Sequence, residues 1–141
     1  MTPRFGIDTS ILVRLLTGRP ERLHAHCVTA LRDLIERQGA QILISNTVIG
    51  EAYVAVQHHY GVSKADVRTG MLTMLRSGLV SPLNGQSALT AIESRSGAGL
   101  IDRLIADDYR RARMVTLTLD RGMSALPETR LLVTTPAAST P

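Results

Sequence analysis

Short apolar stretches suited to strands alternate with amphipathic helical stretches, which predicts an α/β sandwich around a parallel sheet. Two further observations agree. The chain has 141 residues, of which 44% are hydrophobic, so one domain with a sizeable core is expected. Those apolar residues are spread along the sequence, and no apolar run approaches the ~18 residues that span a membrane.

Each element has a local reason. Residues 4–8 (Arg-Phe-Gly-Ile-Asp) read as a first strand. Thr9-Ser10 opens an apolar helix through Leu16, stopped by Gly18 and Pro20. From Glu21 to Arg37 the apolar positions Leu23, Cys27, Ala30, Leu31, Leu34 and Ile35 recur at intervals of three and four, and Gly39 closes that helix. Residues 41–45 form a second short strand; Asn46 or Thr47 is expected to cap a helix from Val48 to His59, which Gly61 ends.

Ser63 begins a further helix with Val67, Met71, Leu72, Met74 and Leu75 inward. Residues 79–81 are a candidate third strand, and 87–95 another helix. After the loop 96–99, Leu100–Arg113 reads as a helix with Ile101, Leu104, Ile105 and Ala112 inward. Residues 114–119 read as a buried strand, 121–126 as a helical turn and 130–133 as a last strand. The Thr/Pro/Ala/Ser tail, 134–141, is expected to be disordered, which leaves 1–133 as the domain. No internal repeat is visible.

Composition narrows the function classes. Arg4 and Asp8 interrupt the apolar N-terminus, so it does not read as a signal peptide, and the single cysteine, Cys27, cannot form an internal disulfide. A cytoplasmic protein is expected. The formal charge is +4, and Lys64 is the only lysine. An arginine-rich surface suits a phosphate-bearing partner, although ordinary solvation explains it equally. With 3% aromatic residues, a base-stacking platform is not indicated.

Four carboxylates stand out. Asp8 and Asp120 each end a strand and precede a helix, where ligands of open parallel sheets bind, and where an aspartate also serves as a helix cap. Glu51 has no basic residue three or four positions away, and its helical neighbours are largely apolar. Such a carboxylate needs a partner or a route to water. Asp102 sits in the first turn of its helix, which the helix dipole also favours. Asp107 and Asp108 are expected on the outer face with Arg110, Arg111 and Arg113.

Gathered together, the four acids would repel one another unless cations neutralised them. Hard oxygen ligands suit Mg²⁺ or Mn²⁺, which activate water and stabilise the leaving oxygen of a phosphodiester. Other chemistries lack support. His24 and His26 lie two apart and do not share a helix face, while His58 and His59 end a helix where the dipole favours them. Dinucleotide, phosphate-loop and nucleophile-elbow motifs are missing. Thr9 and Ser10 have no histidine suggested nearby to make them nucleophiles. A phosphotransfer role for Asp8 wants a second acid beside it and a late-strand lysine, and the sequence has neither.

The stretches Gly-Ile-Asp-Thr-Ser-Ile-Leu-Val (6–13), Ile-Ser-Asn-Thr-Val-Ile-Gly-Glu (44–51), Leu-Ile-Asp-Arg-Leu-Ile-Ala (100–106) and Val-Thr-Leu-Thr-Leu-Asp (115–120) occur in this order. The ordered set resembles the four motifs of the PIN-domain ribonucleases, particularly the VapC-type toxins of bacterial toxin–antitoxin pairs. The resemblance spans residues 4–133 and implies a three-layer α/β/α sandwich.

It also implies an Mg²⁺- or Mn²⁺-dependent endoribonuclease with Asp8, Glu51, Asp102 and Asp120 as metal-holding acids. Cleavage would leave a 5′-phosphate and a 3′-hydroxyl, and Ser10 or Thr118 would orient a ligand or water. A small antitoxin partner and a homodimer are implied as well, and the apolar helix 11–16, with the helix 21–37, is the candidate partner surface. Two positions depart from the family pattern: Leu119 stands where an aromatic is frequent, and Arg113 where a glycine is usual. The alternative is a catalytically silent PIN-like module that binds RNA or protein.

Overall fold

The computed structural model describes residues 1–133; the expected tail at 134–141 lies outside them. The chain opens with β1 (Arg4–Gly6), α1 (Thr9–Thr17), α2 (Glu21–Gln38) and β2 (Gln41–Ile44). There follow α3 (Asn46–Tyr60), α4 (Lys64–Leu75), β3 (Ser81–Pro82) and α5 (Gln86–Glu93). The last elements are α6 (Leu100–Arg111), β4 (Thr116–Thr118), α7 (Arg121–Ser124) and β5 (Thr129–Leu131). The first three helices stop where the sequence supplies a left-handed residue: Gly18, Gly39 and Gly61 each sit at φ between +63° and +67° and return an N–H to the last turn.

Among the described residues every strand pairing is parallel, as expected, but the strands form two hydrogen-bonded sheets. One has the order β1–β2–β3 and the other pairs β4 with β5. β2 is central, and its Ile42 and Ile44 are buried. Helix α2 contacts β2 and α5 contacts β3, and Leu12, Ile49, Met71, Val80 and Ile92 form a single apolar core with Ile44. Full burial of each such side chain contributes ~1.5–3 kcal/mol. A small satellite core of Ala98, Ala106, Met123 and Leu126 holds α6 against α7.

Several sequence expectations need correction. The 114–119 run is not a buried strand. Only Thr116–Thr118 is extended, Thr116 alone is buried, and Leu117 and Leu119 are 56% and 80% exposed. The reason is topological: a two-stranded ribbon lacks layers on both faces. Helix α1 is core rather than partner surface, with Leu12, Val13 and Leu15 buried against neighbouring helices. Leu23 and Ala30 of α2 face outward. The cap of α3 is Ser45, whose Oγ accepts the Val48 N–H at 3.2 Å, and not Asn46 or Thr47.

On α6, Leu100 and Leu104 are buried, whereas Ile101 and Ile105, and Ala112 just beyond the helix, are exposed. Apolar residues at 100, 101, 104 and 105 give this segment a stripe wider than its neighbours cover. Gly50 permits the close approach of α3 and α6: a Cβ there would lie 3.1 Å from Ile101 Cδ1.

Arg113 adopts φ +62° just beyond α6. A side chain in this left-handed region costs about 1–2 kcal/mol, part of which glycine gives back through its unfolded-state freedom. The Arg113→Gly protein is therefore expected to gain about 0.5–1 kcal/mol, a rise of a few degrees in Tm by calorimetry. An unchanged or lower Tm would show that the arginine side chain makes a compensating contact.

Candidate active site

Asp8 and Asp120 occupy equivalent stations, each beyond the carboxyl end of a parallel strand and each capping the helix that follows. Asp8 Oδ1 accepts the Ser10 hydroxyl at 2.6 Å and the Ile11 N–H at 3.3 Å. The Ser10 hydrogen bond, then that from Ile11, holds the Asp8 carboxyl below the usual carboxylate range. Asp8 is thus anionic at neutral pH, and both bonds lie on one of its oxygens. Of the two hydroxyls beside it in sequence, Ser10 is the one engaged.

Asp120 Oδ1 accepts the Met123 N–H at 3.1 Å, and the Asp120 N–H donates to Thr118 Oγ1 at 3.0 Å. Gly122 leaves room for this carboxylate, since a Cβ there would lie 3.1 Å from Asp120 Oδ1. The capping role weighed for both acids in the sequence is therefore real. A carboxylate that caps with one oxygen still offers lone pairs to a ligand.

Glu51 lies on the exposed face of α3, bordering a groove whose other side is α6. Water solvates it along one side while Val54, Ala55, Ile101 and Ile105 flank the groove it lines. Asp102 is half-buried in the first turn of α6, favoured by the dipole. The turn leading into α6 is clamped by Arg103, which donates to the carbonyls of Ala98 at 2.9 Å and Ser96 at 2.6 Å. That clamp fixes the helix end that carries Asp102.

Donor chemistry and arrangement point in different directions. Four carboxylates suit a hard divalent cation. Among the described residues, however, no group of three or more His, Cys, Asp or Glu side chains is gathered so as to hold a metal ion. Asp8 and Asp120 follow strands of different sheets, and Glu51 belongs to the α3–α6 groove.

Sequence reasoning missed Asp107. Far from lying on the outer face, it is 1% exposed. Its Oδ2 accepts from Asn46 Nδ2 at 2.8 Å and from Asn84 Nδ2 at 2.9 Å. Burial pushes the Asp107 carboxyl upward, but hydrogen bonds from Ser87, Asn84 and Asn46 and the Arg110 charge together leave it below its ordinary value. Asp108 is exposed as expected and accepts from Asn84 at 2.8 Å. Arg68 was missed too: it is buried, donates to the carbonyls of Ile92 and Ser94, and lies over the Tyr53 ring. One signal was available, since Asn46 and Asn84 are amides beside strand ends, where buried polar groups need partners.

Among the described residues no helix is long and apolar enough to cross a membrane. No curated protein matches the chain. A family model described as the PIN domain matches residues 6–128, a span that includes all four acids. PIN domains are in general nucleases and typically use divalent metals. With parallel strands, strand-end aspartates and a family match over most of its length, the chain belongs to the PIN-domain family.

Proposed function

We propose that this protein is an Mg²⁺- or Mn²⁺-dependent endoribonuclease and the toxin of a toxin–antitoxin pair, acting in the cytoplasm as a homodimer. Asp8, Glu51, Asp102 and Asp120 are its acidic set. Support comes chiefly from the twin strand-end aspartates in a chain of the PIN family: Asp8 is held anionic by Ser10, and Asp120 follows the Thr118 hydroxyl.

A bound divalent ion would supply charge for the phosphodiester transition state and lower the pKa of water. The chain's own residues contribute the rest. Ser10 orients the Asp8 carboxylate, Thr118 fixes the backbone at Asp120, and Arg103 holds the turn before Asp102. Surface arginines attract the RNA backbone, and that contribution weakens with salt.

Incubation of the purified protein with RNA and Mn²⁺ is expected to give fragments with 5′-phosphate and 3′-hydroxyl ends. Chelation should abolish cleavage, and added Mn²⁺ restore it. Cleavage that persists through chelation would refute the metal-dependent reading. Intact RNA under all conditions would favour a silent binding module.

A further inference from the structure

The hydrogen bonds around Asp107 lead to a carboxylate and an amide that the fold itself leaves with acceptors to spare. Asn84 Nδ2 donates to Asp107 Oδ2 at 2.9 Å and to Asp108 Oδ1 at 2.8 Å, and its own carbonyl accepts from Arg111 at 3.1 Å. Asp108 is exposed, so Asn84 orients its carboxylate at one oxygen while both oxygens keep lone pairs for a ligand. Asn46 is tied to the same Asp107 oxygen. Its Nδ2 donates there at 2.8 Å and to the Leu104 carbonyl at 3.0 Å, while its buried Oδ1 has no hydrogen-bond partner. Turning the amide would set its oxygen against a carboxylate and a carbonyl, so chemistry fixes this orientation. Asn46 is only 4% exposed, and a buried acceptor without a donor is costly.

Asn46 and Asp108 both line the groove between α3 and α6, which encloses about 590 Å³. Its walls are aliphatic: Val54, Ile101 and Ile105 are 42%, 38% and 42% exposed. The charged residues that line it are Glu51 and Asp108, with His59 at one end and neither lysine nor arginine among them. Such a place repels a phosphate. It suits a ligand with a flat apolar body and an edge of N–H donors, which is the description of a nucleobase.

We propose that this groove is a base-reading subsite that takes one unstacked guanine of the RNA substrate. Guanine carries two adjacent donors on its pairing edge, N1–H and the N2 amino group, which match the two oxygens of one carboxylate. Asp108 accepts these, and Asn46 Oδ1 accepts the remaining amino hydrogen. Adenine and cytosine set one amino group beside an acceptor nitrogen, and uracil sets a single N–H between two carbonyls, so each turns a lone pair toward the carboxylate. The aliphatic walls cover the faces of one base, as in other sites that read a base out of its stack. Glu51 borders the same groove, so the base read belongs to a nucleotide close to the scissile phosphate. The assignment rests on the ribonuclease reading for its ligand, and it gives Asp108 a specificity role outside the acidic set.

Fluorescence anisotropy in the absence of metal tests it, with labelled five-nucleotide RNAs that are uridine throughout except for a central guanosine or inosine. Inosine lacks only the N2 amino group. The guanosine RNA is expected to bind at least about fivefold tighter than the inosine RNA. Asp108→Asn keeps an acceptor for Asn84 and should bring the two affinities within about twofold of each other; Ile105→Asn should weaken the guanosine RNA about fivefold. Equal affinities in the wild type, an unaltered preference in a folded Asp108→Asn protein, or no binding at about 1 mM RNA would overturn the proposal. So would sedimentation showing that Ile105→Asn splits a dimer, which would assign the groove to a second copy. Cleavage in Mn²⁺ keeps the two readings apart. Metal-dependent cutting without base preference overturns the guanine subsite alone, whereas guanine-selective binding without cutting supports the subsite and removes the nuclease.

Discussion

The Asp8→Asn protein is expected to lose Mn²⁺-dependent RNA cleavage by at least about a hundredfold while melting near the wild-type temperature. The two readouts separate the helix cap that Asp8 forms from the metal-holding role proposed for it. As the cap of α1, Asp8 needs only an oxygen to accept the Ile11 N–H, and asparagine supplies one. As a metal-holding acid it needs its negative charge, which asparagine lacks. The carboxyl is held below its ordinary range by Ser10 and Ile11, so the charge is present throughout the neutral range. Ser10→Ala should act in the same direction but more weakly, since it loosens the carboxylate without removing it. Retained cleavage in a clean Asp8→Asn preparation would remove Asp8 from the acidic set; a collapse in Tm would show that the cap tolerates no amide.

The second large effect is on stability, at Asp107. Asp107→Ala removes one of two acceptors from the Nδ2 of buried Asn46, which keeps the Leu104 carbonyl, and one of two from that of half-buried Asn84, which keeps Asp108. Hydrogen bonds to a charged group contribute ~1.5–3 kcal/mol each, and the bonds share one network, so a loss of about 3 kcal/mol is expected. By calorimetry that corresponds to a fall of roughly 10 °C in Tm. Asp107→Asn should cost less, because an amide oxygen still accepts one of the bonds.

The pH dependence follows from the sign of the shift. Asp107 titrates lower in the folded chain than its ordinary value, so its contribution is complete above the unfolded pKa of about 3.9. It fades as pH falls through the lower folded value. The stability gap between wild type and Asp107→Asn should therefore be widest above about pH 5 and narrow progressively in stronger acid. A gap that stayed constant to pH 3 would mean that the Asp107 charge contributes nothing and that shape alone matters.

These residues show what was legible in the sequence. Helices and central strands were readable because each carries a local signal: glycines at +63° to +67° close three helices, and β2 is a short apolar run. Family motifs were readable for the same reason, since Asp8 and Asp120 announce themselves by following a strand and preceding a helix. Tertiary decisions were less accessible. Ile101 and Ile105 have the period of a buried stripe, yet α3 covers only part of α6 because Gly50 sets where the two helices touch. Asp107 lies in the run Asp-Asp-Tyr-Arg-Arg, which locally reads as a solvated face; its burial depends on Asn46 and Asn84, 61 and 23 residues away. Likewise the apolar run 114–119 looked doubly covered, and its exposure follows from β4 pairing with β5 alone.

In the proposed function Asp8, Glu51, Asp102 and Asp120 serve a common divalent-metal site, although among the described residues their side chains are not gathered as a ligand cluster. Paramagnetic broadening by substoichiometric Mn²⁺ in ¹H–¹⁵N NMR tests this most directly, because it reads proximity to the ion without requiring RNA or turnover. Amide signals around residues 8, 51, 102 and 120 are expected to broaden together, and the broadening to disappear in the Asp120→Asn protein. Broadening confined to one or two of the four positions, or centred elsewhere on the chain, would contradict it.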